Sequence, residues 1–479
     1  MSITHLEPSA LWRNFSALNA VPRPSKKEGR VIAFIKKFGE SLNLETRVDE
    51  TGNVIILKPA TPGMEGRKKV ILQSHLDMVC QKNNDTEFDF DTQGIRMVTD
   101  SDWVMAEGTT LGADNGIGVA AIMSILESKE IDHPELEALF TIDEETGMTG
   151  AFGLKPGALS GDILLNLDTE EDDEIDIGCA GGMDVTATGQ FITESYSGIG
   201  IQIEIKGLRG GHSGIAIHEG RGNANVILTR FLFLGLNDDI RLVNINGGGL
   251  RNAIPREAKA VVVFTQGSHF LQQAEQLKVE ILHEYLTLEP TLEINISPSE
   301  VNAAIMNTAD SGSFIRSLKV AHNGVFRMSP TVPGLVEASN NIARVTLDDG
   351  KITVMNLTRS SVDSTKQAVA EQLRAAFELS RMEVTYSGSY PGWQPNPHSS
   401  IVELMQRIYV NKFGSAPKVV ACHAGLECGI IGAHYPKMEM VSFGPTIQGA
   451  HSPEERVNIK SVGKFWSYLL DILKEIPEK

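Results

Sequence analysis

Thiols are scarce in this chain of 479 residues: Cys80, Cys179, Cys422 and Cys428 are too few and too scattered for a disulfide framework. A reducing cytoplasm is the simplest home for such a composition. Cys422 and Cys428 flank His423, but no second thiol pair exists to complete a structural zinc site. Basic residues are also outnumbered, 43 Lys and Arg against 61 Asp and Glu, for a net charge of -18. Nucleic acid is therefore not an expected partner, because phosphate binding needs clustered Lys and Arg. No uninterrupted apolar run approaches the roughly 18 residues of a membrane span, so no membrane is expected either. The opening MSITHLEPSALWRNF lacks the basic-then-apolar pattern of a secretory leader. A GxSxG elbow is missing, which leaves a serine hydrolase without its nucleophile turn. GLRGGHSG and NGGGLRN lack the strand-to-helix context of a dinucleotide loop.

What is present points to a folded enzyme of more than one domain. The length exceeds what a single hydrophobic core supports. In the first third, strand and helix signals alternate. LWRNFSALNAV has helical spacing and stops at Pro22-Arg23-Pro24, and GRVIAFIKKFGESLNL is a second amphipathic helix. KKVILQSHLDMV, LEALFTIDEE and GDILLNLDTEE read as strands buried on both faces, and NGIGVAAIMSILES as a helix between them. This rhythm predicts an α/β domain with a doubly wound, mostly parallel sheet.

Near residue 185 the pattern changes to alternating, half-exposed strands: GIGIQIEIKG, KAVVVFTQ (259–266) and KITVMNLTRS. The helices NANVILTRFLFL, HFLQQAEQLKVEILHEYL and STKQAVAEQLRAAFEL are interleaved with them. That is the mark of an α+β domain with an antiparallel sheet and helices on one face. After the proline-rich YPGWQPNPHSS, a helix, the strand KMEMVSFGP and a last helix return to the first pattern. The expected organisation is a discontinuous domain, 1–185 plus 392–479, into which an α+β domain, 186–391, is inserted.

Five metal-ligand candidates stand out: His75, Asp114, Glu145, Asp168 and His451, each expected at the end of a strand. One catalytic zinc needs about three protein ligands. Five suit two ions that each have two private ligands and share a bridging carboxylate, an arrangement that holds a hydroxide and polarises a carbonyl or phosphoryl oxygen. The chain therefore reads as a hydrolase. His75 and Asp77 lie two apart on a strand and leave the same face, which sets a carboxylate beside an imidazole. Asp114, bracketed by glycines in LGADNGIG, is either a helix N-cap or a bridging ligand. Asp143, Glu144 and Glu145 repel one another, which a cation would relieve; neighbours on an extended backbone point apart, so one glutamate can ligate while the next serves as general base. The acids from Glu170 to Glu174 are expected in a solvated loop.

Taken together, SHLDMV, LGADNGIG, DEETG, NLD, GLRGGHSG, GGGLRNAIP and GAHSPEE resemble the dinuclear zinc aminoacylase/carboxypeptidase/dipeptidase superfamily along essentially the whole chain. The long insertion and ACHAGLECGIIG look most like the bacterial aminoacyl-histidine dipeptidases, also called Xaa-His or cytosolic non-specific dipeptidases or peptidase D. The resemblance implies that His75 and Asp168 bind one zinc, Glu145 and His451 the other, and that Asp114 bridges them. It implies Glu144 as general base and acid, Asp77 as the group that orients His75, and a cis peptide bond after Asp114. The inserted domain would be a lid through which the chain dimerises, with His212 polarising the scissile carbonyl or stabilising the oxyanion. Asn252 and Arg359 are candidates for holding the substrate's terminal carboxylate, Arg359 being alternatively a surface strand residue. His423, Gly425 and Glu427 are candidates for the lining that reads the dipeptide's ends.

The expected activity is metal-dependent hydrolysis of unblocked dipeptides, Xaa-His among them, in the cytoplasm. Zinc is the expected metal, although imidazole and carboxylate ligands also suit cobalt and manganese. An N-acyl amino acid deacylase or a carboxypeptidase on the same core is the nearest alternative. A catalytically silent metal-binding scaffold is the alternative from another class, and it would need none of Asp77, Glu144 and His212.

Overall fold

The computed structural model describes residues 3–264 and 269–479. The last two residues of KAVVVFTQ thus lie outside the described residues. Two compact units are present: Met1–Gly178 with Pro395–Ala421 and Leu426–Lys479, and Cys179–Gln394 with Cys422–Gly425. The short piece Cys422–Gly425, which sequence patterning left in the outer domain, packs with the second unit.

The first unit is built on an eight-stranded sheet. Its centre is parallel: Leu136–Thr141 and Ile163–Asn166 flank Val70–His75, and Glu439–Ser442 lies beyond Ile163–Asn166. Every residue of Val70–His75, Leu136–Thr141 and Ile163–Asn166 is buried, as continuous apolar runs require when both faces are covered. Antiparallel strands flank the centre, with Glu45–Val48 and Val54–Lys58 on one side and Glu174–Cys179 on the other. This is the expected α/β class, its parallel core extended by antiparallel flanks. Parallel neighbours end on one side of a sheet, so the loops after His75, Thr141 and Asn166 emerge together. That alignment assembles the site.

Two ligand candidates depart from the strand-end expectation. Asp114 lies in the first turn of the helix Ala113–Glu127, with its own dihedrals non-helical (φ -80, ψ 110). His451 follows the two-residue strand Ile447–Gln448, part of a separate four-stranded sheet with Met97–Asp100, Trp103–Ala106 and Arg456–Asn458.

The second unit is a nine-stranded sheet whose registered pairs are all antiparallel. The helices Ala224–Leu234, Phe270–Glu284, Thr308–Val320 and Asp363–Glu378 share one core with it, through Phe231, Phe270, Phe314 and Phe377. Alternation explains the one-sided packing: Ile203 and Ile205 are buried while Gln202 and Glu204 between and beside them are not.

Candidate active site

Asp114 stands between two imidazoles. Its Oδ1 is 3.1 Å from His75 Nε2 and its Oδ2 is 3.2 Å from His451 Nε2. His75 Nε2 is also 3.4 Å from Asp168 Oδ1, and His451 Nε2 is 2.9 Å from Glu145 Oε2. All five candidates thus meet as two half-sites, His75 with Asp168 and His451 with Glu145, joined by the two oxygens of one carboxylate. Ligand atoms of His75, Asp114 and Glu145 lie within 4.8 Å of one another. The peptide bond between Asp114 and Asn115 is cis. Asn115 Nδ2 donates to the Leu167 carbonyl at 2.7 Å and to the Asp168 carboxylate, which ties the Asp114 segment to the Asp168 loop.

The electrostatics are those of a donor set shaped for cations. Burial alone would push the His75 imidazolium down, but Asp168, Asp114 and Asp77 hold its pKa well above the ordinary value. His451 rises to about 11, chiefly through its hydrogen bonds to Asp114 and Glu145. Burial raises Asp168 to about 6 and Glu144 well above the carboxylate range, with neighbouring carboxylates adding to both. Glu145 Oε1 is buried with no hydrogen-bond partner. Carboxylates facing imidazoles and an orphaned carboxylate oxygen fit divalent cations, which remove the like-charge repulsion.

Asp77 does more than stand near His75. Its Oδ1 is 3.4 Å from His75 Nδ1, while its carboxylate accepts the backbone N–H groups of Glu144 (3.0 Å) and Glu145 (3.2 Å) and the Ser25 hydroxyl (2.8 Å). It therefore fixes the general-base candidate and a ligand candidate together with the imidazole. Asp143, the first of the three consecutive acids, turns away, 2% exposed, and accepts from Thr146 and Thr149. The solvated-loop expectation for 170–174 is corrected at Glu170. Burial, then the charges of Asp114 and Asp168, lift it to about 8, so it borders the centre. Asp172 pairs with Lys464 at 2.6 Å, and Asp173 and Glu174 with Lys418.

Glu427 belongs to the first unit, apart from the His423 and Gly425 with which it was grouped. It is 1% exposed, and its Oε2 accepts from Gln73 Nε2 and Thr141 Oγ1, both at 2.7 Å. Gln73 Oε1 in turn accepts from Asn166 Nδ2 at 2.5 Å. Gln73 and Asn166 stand two residues before His75 and Asp168, so this polar layer binds three strand ends beneath the ligands. Burial lifts the Glu427 pKa to about 8. Its folded value thus exceeds its unfolded value of 4.5, so its contribution to stability is full below about pH 4.5 and lost as pH rises toward 8. Glu427→Gln keeps an acceptor oxygen and cannot ionise. In chelated protein, the Tm of this variant relative to the parent should rise steadily between pH 5 and pH 8.5. Parallel Tm curves would show that Glu427 does not titrate there.

In the second unit, His212 Nδ1 accepts the N–H groups of Gly214 (3.2 Å) and Ile215 (3.1 Å), which leaves the ring proton on Nε2. Burial and then the Arg359 charge lower its pKa and keep it neutral. The alternative of Arg359 as a surface strand residue is overturned: it is 5% exposed, and an Nη1 proton goes to Tyr390 Oη at 3.0 Å while Nε has no partner. His423 is buried with Nε2 2.7 Å from Ser339 Oγ, and burial, then Arg359, lowers its pKa to about 3. Asn252 is exposed, and its carbonyl accepts the Ser213 N–H at 2.8 Å, beside His212. Gly425 lies against Tyr390, where a Cβ would come within 3.1 Å of the ring. Tyr390 escaped sequence reading, since nothing near it in the chain marks it as a partner of Arg359.

The model of peptidase family M20/M25/M40 matches residues 71–475. The chain is 43% identical over 482 residues to the cytosol non-specific dipeptidase of Escherichia coli strain K12, covering 100% of this chain and 99% of that one. It is 44% identical to the aminoacylhistidine dipeptidase of Vibrio alginolyticus, whose crystal structure superposes with a TM-score of 0.95 over 100% of this chain and 99% of that one. Aminopeptidase PepT from Bacillus cereus, at 18% identity and a TM-score of 0.59 over 98% and 99% of the two chains, shares the fold alone.

Proposed function

The chain belongs to peptidase family M20/M25/M40, and on that premise we propose that it is a metal-dependent dipeptidase that cleaves unblocked dipeptides, aminoacyl-histidines among them. The observation that carries the mechanism is the Asp114 carboxylate shared between two imidazole–carboxylate pairs. In this reading His75 and Asp168 would hold one ion, His451 and Glu145 would hold the second, and Asp114 would serve both. Zinc suits this set of imidazole and carboxylate donors, as do cobalt and manganese. Ions bound there would supply Lewis acidity and bring the ionisation of water toward neutral pH.

Glu144 is the proposed general base. It takes a proton from the attacking water, holds it at its carboxylate, and returns it to the leaving amine. Its raised pKa supports that carrying role, because a proton-holding carboxyl must be basic enough to keep the proton between the two steps. Asp77 keeps Glu144 in place through the backbone. From the second unit, His212 offers a neutral Nε2–H donor suited to a developing oxyanion. Arg359, buried and with donors to spare, suits the substrate's terminal carboxylate, with Asn252, His423 and Gly425 around that end. We further propose that the second unit acts as the lid and as the dimer interface, and that the protein works in the cytoplasm. Among the described residues no helix is long and apolar enough to cross a membrane.

The test is hydrolysis of β-Ala-His, Gly-His and their N-acetyl forms, before and after chelation and with metal restored. Only the free dipeptides should be cleaved, and only with metal. Cleavage of the blocked forms would move the protein to the deacylases, and metal-independent cleavage would overturn the mechanism.

A further inference from the structure

The loop that carries Asp114 is gripped from both sides by buried charges that the mechanism does not use. Glu455 is 2% exposed. Its Oε2 accepts the N–H groups of Leu111 (2.7 Å) and Gly112 (2.9 Å), and its Oε1 those of Ala113 (2.7 Å) and Asp114 (3.3 Å). Four consecutive amides thus converge on one carboxylate. Arg23, 1% exposed, works on the carbonyls: Nη2 donates to Gly112 O at 2.5 Å, and Nη1 to Leu76 O (3.1 Å) and Asp77 O (3.0 Å). Asn19 orients this guanidinium at 3.1 Å and also donates to Leu111 O at 2.9 Å.

The glycines that bracket Asp114 are explained by the same contact. A Cβ on Gly112 would lie 2.4 Å from Arg23 Nη2, and one on Gly116 would lie 2.7 Å from it. Gly112 also has a left-handed φ of 71°. The two glycines clear a socket for the guanidinium.

Each grip joins a different pair of segments. Arg23 links the residues that follow His75 to the Asp114 loop. Glu455, four residues after His451, links the His451 loop to that same loop. We propose that Arg23 and Glu455 are positioning residues that aim the two oxygens of Asp114, Arg23 setting the His75 half-site and Glu455 the His451 half-site. The proposal rests on reading Asp114 as the shared ligand of the two-ion centre.

Cobalt binding to the full-length chain tests it, by competition with a chelator of known affinity and by the visible spectrum of the loaded protein. Glu455→Gln keeps the side-chain shape but replaces an acceptor oxygen with an amide, and Arg23→Lys keeps the charge but loses the fork. Circular dichroism and Tm of the chelated variants report folding, and either folded variant suffices. Each should weaken one of the two cobalt affinities by roughly 10- to 100-fold, change the cobalt spectrum and lower kcat with little change in KM; the double variant should weaken both affinities. Unchanged affinities and spectra in a folded variant would overturn the proposal. So would failure of both variants to fold, which would assign the pair to stability alone. Parent protein that binds no cobalt would overturn the two-ion reading itself, and the proposal with it. Parent protein with two sites, alongside unaffected variants, would overturn the positioning role alone.

Discussion

Glu144→Ala should retain divalent cations at the parent stoichiometry and lose about 10²- to 10⁴-fold in kcat, the range that a positioned general base supplies. The expectation follows from the division of labour among three consecutive acids. Asp143 is taken up by Thr146 and Thr149, and Glu145 by His451 at 2.9 Å. Glu144 is taken up by neither kind of partner, while its backbone N–H is anchored on Asp77 at 3.0 Å. Truncation should therefore leave the ligand geometry intact. Metal content by elemental analysis, with kcat on Gly-His, checks both halves. Retained turnover would rule out Glu144 as base, and lost metal would make it a ligand instead.

Asp114→Ala should have the larger effect on metal, because its carboxylate faces both half-sites at 3.1 and 3.2 Å. Removing one partner from a buried charge pair costs roughly 3–5 kcal/mol, on the order of 10²- to 10⁴-fold in affinity. Both cations should weaken together and hydrolysis should fall to background. Asp168→Ala serves as the control, since its carboxylate meets only His75 among the ligand imidazoles, at 3.4 Å. That variant should weaken one ion and spare the other. Two unchanged affinities in Asp114→Ala would remove Asp114 from the centre and leave capping of its helix as its role.

The legible part of the site was local. A buried apolar run ending in a polar or charged residue marks a strand that delivers a side chain to the sheet's edge, and VILQSH, LEALFTIDEE and ILLNLD each do so. Two-residue alternation paired His75 with Asp77; the strand ends at His75, and Asp77 just beyond it still brings its carboxylate to within 3.4 Å of the imidazole. The same local reading failed at Glu170, where a run of acids looked solvated, although burial beside Asp114 and Asp168 raises its pKa to about 8. His423 and Glu427, only four residues apart, fall in different units, because the chain crosses between units at Leu426.

The family resemblance singled out Glu144 as the general-base candidate; the residues by themselves determined the fold class and the chemistry of the ligand candidates. Those depend on residue type and on spacing within a strand or turn, which short-range sterics dictate. Only the tertiary structure decided which acids are supports. Glu455 reaches the amides of Leu111 to Asp114 across more than 340 positions, and Arg23 reaches Gly112 across 89. Glu427 meets Gln73 from 354 positions away. No periodicity encodes such pairings. They exist because a buried charge or amide must find a hydrogen-bonding partner wherever the fold brings one within reach.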